Sequence, residues 1–101
     1  AHITGGGISE NLPRVLNPGC HALIDLDAWE LPAVFRWLQT AGGVAEAEML
    51  RTFNCGIGMV AVVAAEDAEA ALAQLREAGE SPLLIGQITA GEPGVSYAGR
   101  L

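Results

Sequence analysis

The sequence predicts an α+β domain in which helices pack on a mixed, largely antiparallel four-stranded sheet. Stretches with apolar residues at helical spacing alternate along the chain with short runs rich in apolar and β-branched residues. Half of the 101 residues are hydrophobic and 17% are charged, which suits one compact core and is too little for two. We therefore expect a single domain over residues 1–101, with a ferredoxin-like arrangement as the nearest simple template.

The elements are predicted from local signals along the chain. In order, they are a short helix over residues 9–16, a strand over 21–26, a helix over 31–41, a shorter helix over about 45–51, a strand over 59–64, a helix over 66–78, and strands over 83–89 and 95–97. Ser9 or Gly7 is a suitable cap for the first helix. In the first strand Leu23 and Ile24 are adjacent, so both of its faces are expected to be covered.

The middle helices carry clear start and stop signals. Pro32 suits a first helical turn, and Gly42-Gly43 ends the helix that follows. Glu46 and Glu48 stand early in the next helix, where the helix dipole favours acidic side chains.

The second half of the chain contains one helix and three predicted strands. Residues 59–64 lack polar alternation, which predicts a central strand buried on both faces. The helix over 66–78 is amphipathic and ends at Gly79. The last two strands, joined by residues 90–94, are expected to close the sheet as an antiparallel pair.

Charge and composition exclude several classes of partner. Twelve acidic and five basic residues give a net charge of −7, which disfavours binding to nucleic acid or to an anionic membrane. The longest apolar run, residues 59–65, is far shorter than the roughly 20 residues that span a bilayer. Two cysteines do not make a disulfide framework, so we expect a reduced, cytoplasmic setting.

Two glycine-rich segments are candidate binding loops. Gly5-Gly6-Gly7 precedes a predicted helix, where backbone N–H groups can face a phosphate; the alternative is a simple turn. Polar side chains of four different types flank these glycines, namely His2, Thr4, Asn11 and Arg14. His2 is either a general acid and phosphate donor or a frayed terminal residue, and Arg14 either binds an anion or pairs with Glu10.

The second segment runs from Asn54 to Gly58 and contains a cysteine. Cys55 has neither a neighbouring base nor metal-ligand spacing with another residue, so we expect a buried apolar role and no metal site. Trp29, Phe35 and Trp37 lie near one helix, where they either stack on a purine or, more commonly for such residues, contribute to the core or to a subunit contact.

Several of these segments together resemble one enzyme family. They are HITGGG (2–7), ENLPR (10–14), Trp29, Pro32, FRWLQ (35–39) and EMLRTFNCGIGM (48–59). They resemble phosphoribosylformylglycinamidine cyclo-ligase, also called aminoimidazole ribonucleotide synthetase, from residue 1 to about residue 88. The resemblance implies an enzyme of purine biosynthesis that uses ATP and Mg²⁺ to activate the amide oxygen of formylglycinamidine ribonucleotide before ring closure.

The resemblance also implies that this chain is a C-terminal domain. The family's N-terminal ATP-binding domain has no counterpart in residues 1–101, so we expect no activity from this chain alone and no ATP or Mg²⁺ bound to it alone. The expected partners are formylglycinamidine ribonucleotide, ATP, the N-terminal domain and a second copy in a homodimer.

The matching positions give the expected site. His2 is expected to have a chemical role, and the loop facing the substrate or phosphates comprises Thr4, Gly5, Gly6, Gly7, Asn11 and Arg14. Asn54, Gly56 and Gly58 are expected to form the second wall. The alternatives are a sister ATP-dependent enzyme, such as formylglycinamidine ribonucleotide synthetase, selenophosphate synthetase or thiamine-monophosphate kinase, and a non-catalytic binding or oligomerisation module.

Overall fold

The computed structural model describes all residues from 1 to 101. It contains four α-helices, α1 (Gly7–Asn11), α2 (Ala33–Gly42), α3 (Glu46–Thr52) and α4 (Ala68–Glu77), and three strands, β1 (Cys20–Asp25), β2 (Gly86–Ala90) and β3 (Val95–Ala98). Short 3-10 turns cover Leu12–Val15, Leu26–Ala28 and Ala65–Asp67. The α+β class is confirmed, and the prediction of four strands is wrong because the sheet has three.

The helix boundaries follow from local chemistry. Pro32 precedes α2, and Gly43 ends it in the left-handed conformation at φ 60°, which glycine adopts without a steric penalty. α3 carries acidic residues in its first turn and Arg51 in its last. The first predicted helix begins two residues early, at Gly7 behind Gly6, and Pro13 then tightens the chain into a 3-10 turn.

The sheet has the order β2-β1-β3, with β1 in the centre. β1 runs antiparallel to β2, with Cys20 opposite Ala90, and parallel to β3, with Ala22 opposite Val95. The predicted antiparallel pair of the last two strands is therefore wrong. The four residues between them carry the chain across the end of β1, so the two strands bond to its opposite edges.

The predicted central strand over residues 59–64 does not form. Met59 makes an isolated antiparallel bridge with His2, and Val60 exchanges backbone hydrogen bonds with Ala1. Val62 and Val63 are 45% and 46% exposed. A run of β-branched residues needs neighbouring backbone to pair with, and here that pairing ends at Val60.

The core lies between the helices α1 and α3 and the inner face of the sheet. Eleven buried apolar residues form it: Ile3, Ile8, Leu12, Ala22, Ile24, Leu26, Leu31, Met49, Leu50, Cys55 and Ile57. Trp29 and Phe35 pack against this core, but Trp37 is 66% exposed and does not. No residue of α4 is fully buried, and its apolar face is only partly covered.

The outer face of the sheet is open. Ala22 and Ile24 point into the core, whereas the alternating positions of β1 and the side chains of β2 are partly or fully exposed. None of the helices has the length and apolar character needed to cross a membrane.

Candidate functional site

A groove of about 250 Å³ opens where the two glycine-rich segments meet. Its lining comes from three places in the chain, namely Ile3, Thr4, Gly5, Phe35, Thr52, Phe53 and Asn54. Thr4 and Gly5 belong to the first predicted loop and Asn54 to the second, so the fold brings the two predicted walls together. A second cavity of about 380 Å³ contains none of the predicted site residues.

Backbone pairing joins the two segments. The Ile3 N–H donates to the Gly58 carbonyl at 2.9 Å, and the Val60 N–H donates to the Ala1 carbonyl at 2.9 Å. The Ala1 ammonium in turn donates to the Val60 carbonyl at 2.7 Å. These bonds hold the start of the chain beside residues 58–60, independently of side-chain identity.

Gly7 allows the first segment to approach the end of α3. Its φ is +63°, and a Cβ atom there would collide with the Leu50 carbonyl oxygen and lie 2.7 Å from the Phe53 carbonyl oxygen. Only glycine fits both the conformation and the space. The groove therefore depends on Gly7, although Gly7 itself is buried behind it.

Asn11 fixes the shape of the glycine loop from inside. Its buried side-chain amide donates to the carbonyls of Thr4 and Gly5 at 3.3 Å each and to that of Gly7 at 2.8 Å. Its Oδ1 accepts from the Thr4 hydroxyl at 3.3 Å and from Arg14 Nη1 at 3.2 Å. All of its polar atoms are thus engaged within the loop, which makes Asn11 a positioning residue.

The second wall is a rigid turn. Asn54 Oδ1 accepts from the Gly56 N–H at 2.8 Å, and Trp29 Nε1 donates to the Cys55 carbonyl at 3.0 Å. Gly56 has φ +98°, and a Cβ atom there would lie 2.7 Å from Pro32 Cγ. Asn54 therefore reaches the groove from a turn braced by Trp29 and Pro32.

Cys55 is completely buried beneath this turn. Burial, reinforced by the negative charge of Glu46, raises the pKa of its thiol from 9.0 to about 11. Its Sγ lies 3.4 Å from the Met49 carbonyl oxygen, which accepts its weak hydrogen bond. The thiol is protonated at neutral pH, and the expected apolar role agrees with this environment.

The other predicted site residues lie around the groove without lining it. His2 is exposed and held by its bridge to Met59, while Gly58 is exposed beyond the second wall. The Glu10 side chain lies against Gly6, so an anion at Gly6 would meet a carboxylate. Arg14 is exposed and contacts Asn11, and it does not form a pair with Glu10, the alternative to anion binding.

Four lining residues were not among the predicted site residues, namely Ile3, Phe35, Thr52 and Phe53. Phe35 and Phe53 stand with ring centroids 5.9 Å apart at an interplanar angle of 55°, and Thr52 adds a hydroxyl. For Phe35 the sequence left open stacking on a purine and a role in the core or a subunit contact, and its ring both packs against the core and lines the groove. Thr52 and Phe53 directly precede Asn54 in the sequence, and this adjacency could have identified them as lining residues.

The lining is uncharged. It offers hydroxyl, amide and backbone groups beside aromatic rings, and it contains neither a carboxylate nor a basic side chain. No group of three or more histidine, cysteine, aspartate or glutamate residues could hold a metal ion. The residues of this groove therefore do not fit a magnesium-bound triphosphate, which needs oxygen ligands for the metal and positive charge for the phosphates. They fit a neutral, polar part of a ligand.

A family comparison places this arrangement among known proteins. Residues 1–98 match the family model described as AIR synthase related protein, C-terminal domain. The chain belongs to this family. Domains of this family occur in ATP-dependent enzymes of ligase-like and kinase-like types. The two glycine-rich segments and the groove between them all lie within the matched residues.

Proposed function

We propose that this AIR synthase-related domain is part of a phosphoribosylformylglycinamidine cyclo-ligase. The reaction converts formylglycinamidine ribonucleotide to aminoimidazole ribonucleotide, with ATP consumed, in purine biosynthesis. The observation that carries the proposal is the groove in which Thr4 and Gly5 face Asn54. Both walls come from the segments that most resemble the cyclo-ligase.

The chemistry of the lining supports a role in binding the ribonucleotide. Hydroxyl and amide groups suit the sugar hydroxyls and the amide of this substrate, and the Phe35 and Phe53 rings exclude water beside them. ATP and Mg²⁺ are assigned to a further, N-terminal domain of the complete enzyme, because the groove lacks charged ligands. If ATP and Mg²⁺ bind to the N-terminal domain, the task of this domain is to orient the ribonucleotide substrate.

Arg14 is the proposed contact for the substrate phosphate. Its guanidinium has five N–H donors, and its contact with Asn11 Oδ1 leaves others to bind an anion. Asn11 also bonds to Thr4, so the phosphate contact and the groove wall share one anchor.

His2 is the proposed group for proton transfer. It is exposed, and its backbone is held by the bridge to Met59 at the edge of the same pairing that builds the groove. In the complete enzyme, His2→Gln is expected to lower kcat by roughly 100-fold with little change in KM, since general acid–base groups contribute factors of about 10² to 10⁴. Equal kcat values would remove His2 from the mechanism.

The test is an NMR titration of this chain with formylglycinamidine ribonucleotide. We expect shifts confined to the amides of residues 4–7 and 54–58. Gly5→Val should abolish them, because Gly5 has open space around it and an ordinary φ, so the added side chain fills the groove without straining the fold. Ala73→Val, on the exposed face of α4, is the matched control and should leave the shifts intact.

The same variants discriminate the alternatives in the complete enzyme. A cyclo-ligase loses activity with Gly5→Val while its stability is unchanged. An unchanged activity, together with no shifts in the titration, would favour a non-catalytic module. Turnover of selenide or thiamine monophosphate in place of the ribonucleotide would instead identify one of the sister enzymes.

A further inference from the structure

A histidine–serine pair lies on the open outer face of the sheet, away from the groove. His21 on β1 and Ser96 on β3 share this face with Leu23, which is the register partner of Ser96. His21 Nε2 lies 2.7 Å from Ser96 Oγ. The two residues are 75 positions apart in the chain, so only the parallel pairing of β1 with β3 brings them together.

The contacts of the ring determine its tautomer in the neutral form. His21 Nδ1 lies 2.9 Å from the backbone carbonyl oxygen of Glu92, and a carbonyl can only accept a hydrogen bond. Nδ1 therefore carries the proton in the neutral imidazole, and Nε2 holds the lone pair. The Ser96 hydroxyl must then donate to Nε2, which is the arrangement that a general base needs to activate a nucleophile.

The loop between β2 and β3 packs against His21, closely at Gly91 and at ordinary van der Waals distance at Gly94. A Cβ atom at Gly94 would lie 3.6 Å from His21 Cε1, and one at Gly91 would lie 3.1 Å from His21 Cβ. Because both ring nitrogens have partners, the imidazole is held in one orientation before any reagent arrives. The exposed Ser96 remains accessible on this face.

We propose that Ser96 is an activated nucleophile that accepts small acyl groups from activated esters, with His21 as its general base. Ser96 Oγ attacks the ester carbonyl as its proton moves to His21 Nε2. The bond from the carbonyl carbon to the leaving oxygen then breaks, and that oxygen takes the proton from His21. The products are an O-acyl serine and the free alcohol, so protons and electrons balance without a further reactant.

The surroundings limit the acyl group to a small one. The two cavities described above are lined by other residues, and neither includes His21 or Ser96. Neither of these two cavities can therefore hold a long acyl chain beside the pair, and the reactivity comes from the histidine–serine pair itself.

The test uses p-nitrophenyl acetate and locates the added acetyl group by mass spectrometry of peptides. The chain contains no lysine, since all five basic residues are arginines, so the N-terminal amine is the main competing amine. We expect Ser96 to be acetylated on the order of 100-fold faster than the exposed Ser81, the size of a typical general-base contribution. His21→Gln should remove this advantage while acetylation of the N-terminal amine is unchanged.

Two further variants keep the result interpretable. Thr89→Ala removes a hydroxyl that contacts only the His21 backbone carbonyl, and should leave Ser96 acetylation at the wild-type rate. Ser96→Ala should abolish the fast product. If Ser96 reacts no faster than Ser81, or if His21→Gln, shown to be folded by circular dichroism, reacts like the wild type, the pair is only structural and the proposal is wrong.

Discussion

Single glycines decide how closely the two walls of the groove approach each other. Gly7 and Gly5 are only two residues apart, but their surroundings are opposite: Gly7 faces the carbonyls of Leu50 and Phe53, whereas Gly5 has nothing within 4 Å of a Cβ position. A glycine-rich motif therefore mixes positions that the fold requires with positions open to a ligand.

This contrast predicts a large difference in stability between two similar variants. Gly7→Ala is expected to lower the free energy of unfolding by roughly 2–5 kcal/mol, from left-handed strain and overpacking together. Gly5→Ala should change it by less than about 0.5 kcal/mol, as open surface substitutions usually do. Urea denaturation of both variants measures the difference. Equal losses would contradict the close approach of Gly7 to α3.

Cys55 predicts a pH dependence at the alkaline end. Its pKa is raised from 9.0 in the unfolded chain to about 11 in the folded one, so the unfolded state loses its proton first as the pH rises. The contribution of Cys55 to stability should therefore be constant well below pH 9 and fall progressively towards pH 11. Tyr97, whose pKa is also raised from 10.0 by burial, adds to this loss from about pH 10 upwards.

The contribution of Cys55 is isolated by comparing two cysteine variants. Cys55→Ala should flatten the loss of stability between pH 9 and 11, although it lowers stability at neutral pH by leaving a small cavity. Cys20→Ala, at the partly exposed free cysteine, should retain the wild-type slope. Identical slopes in thermal unfolding of both variants would show that the Cys55 thiol titrates normally.

At the scale of elements, the helices differ sharply in how they are anchored. α3 places Met49 and Leu50 in the core, whereas α4 buries no residue at all. Helices of this length are marginal in water without tertiary packing. The amides of α4 are thus expected to exchange with deuterium far faster than those of α3. Their exchange should occur through local openings that cost much less free energy than global unfolding. Equal protection would mean that a second surface covers α4.

Local signals explain which elements could be predicted from the sequence. Pro32, Gly43 and the acidic first turn of α3 act within a few residues, so the bounds of α2 and α3 were predicted to within about two residues. Strand pairing is not local. Residues 59–64 and 83–97 have strand-like composition, but their partners are chosen by the whole fold, and that is where the prediction failed.

The candidate site was predictable in part for the same reason. Gly5 and Asn54 are residue types that are common in loops, so both segments were predicted as loops, and both residues line the groove. The sequence could not decide between a core role and a ligand-stacking role for Phe35, because aromatic spacing on a helix has the same pattern whether the ring faces the core or a groove. The contact between His21 and Ser96 could not be predicted from local sequence patterns, because the two residues are 75 positions apart.

At the scale of the whole molecule, much apolar surface remains uncovered. The large hydrophobic side chains that are exposed are Val15, Val34, Trp37, Met59, Val62, Val63, Leu75, Leu83, Leu84 and Ile88. Exposed apolar area of this extent favours association, while the net charge of −7 opposes it. We therefore expect a dimer or larger assembly that is strengthened by salt.

Sedimentation velocity at low and high salt measures this association. Added salt screens the repulsion between like-charged copies, so the average mass should rise with both salt and protein concentration. Trp37→Gln should weaken the association, because Trp37 is the largest of the exposed apolar side chains. A monomer at every concentration and salt level would contradict the expectation.

The central position of β1 also sets an order of events during synthesis. Both of its partners, β2 and β3, lie more than 60 residues later in the chain, with Ile24 opposite Gly86 and Ala22 opposite Val95. On the ribosome β1 must therefore wait with both edges unpaired until nearly the whole domain has emerged. Contacts of such long sequence separation slow folding, and the waiting strand is where a chaperone would be needed.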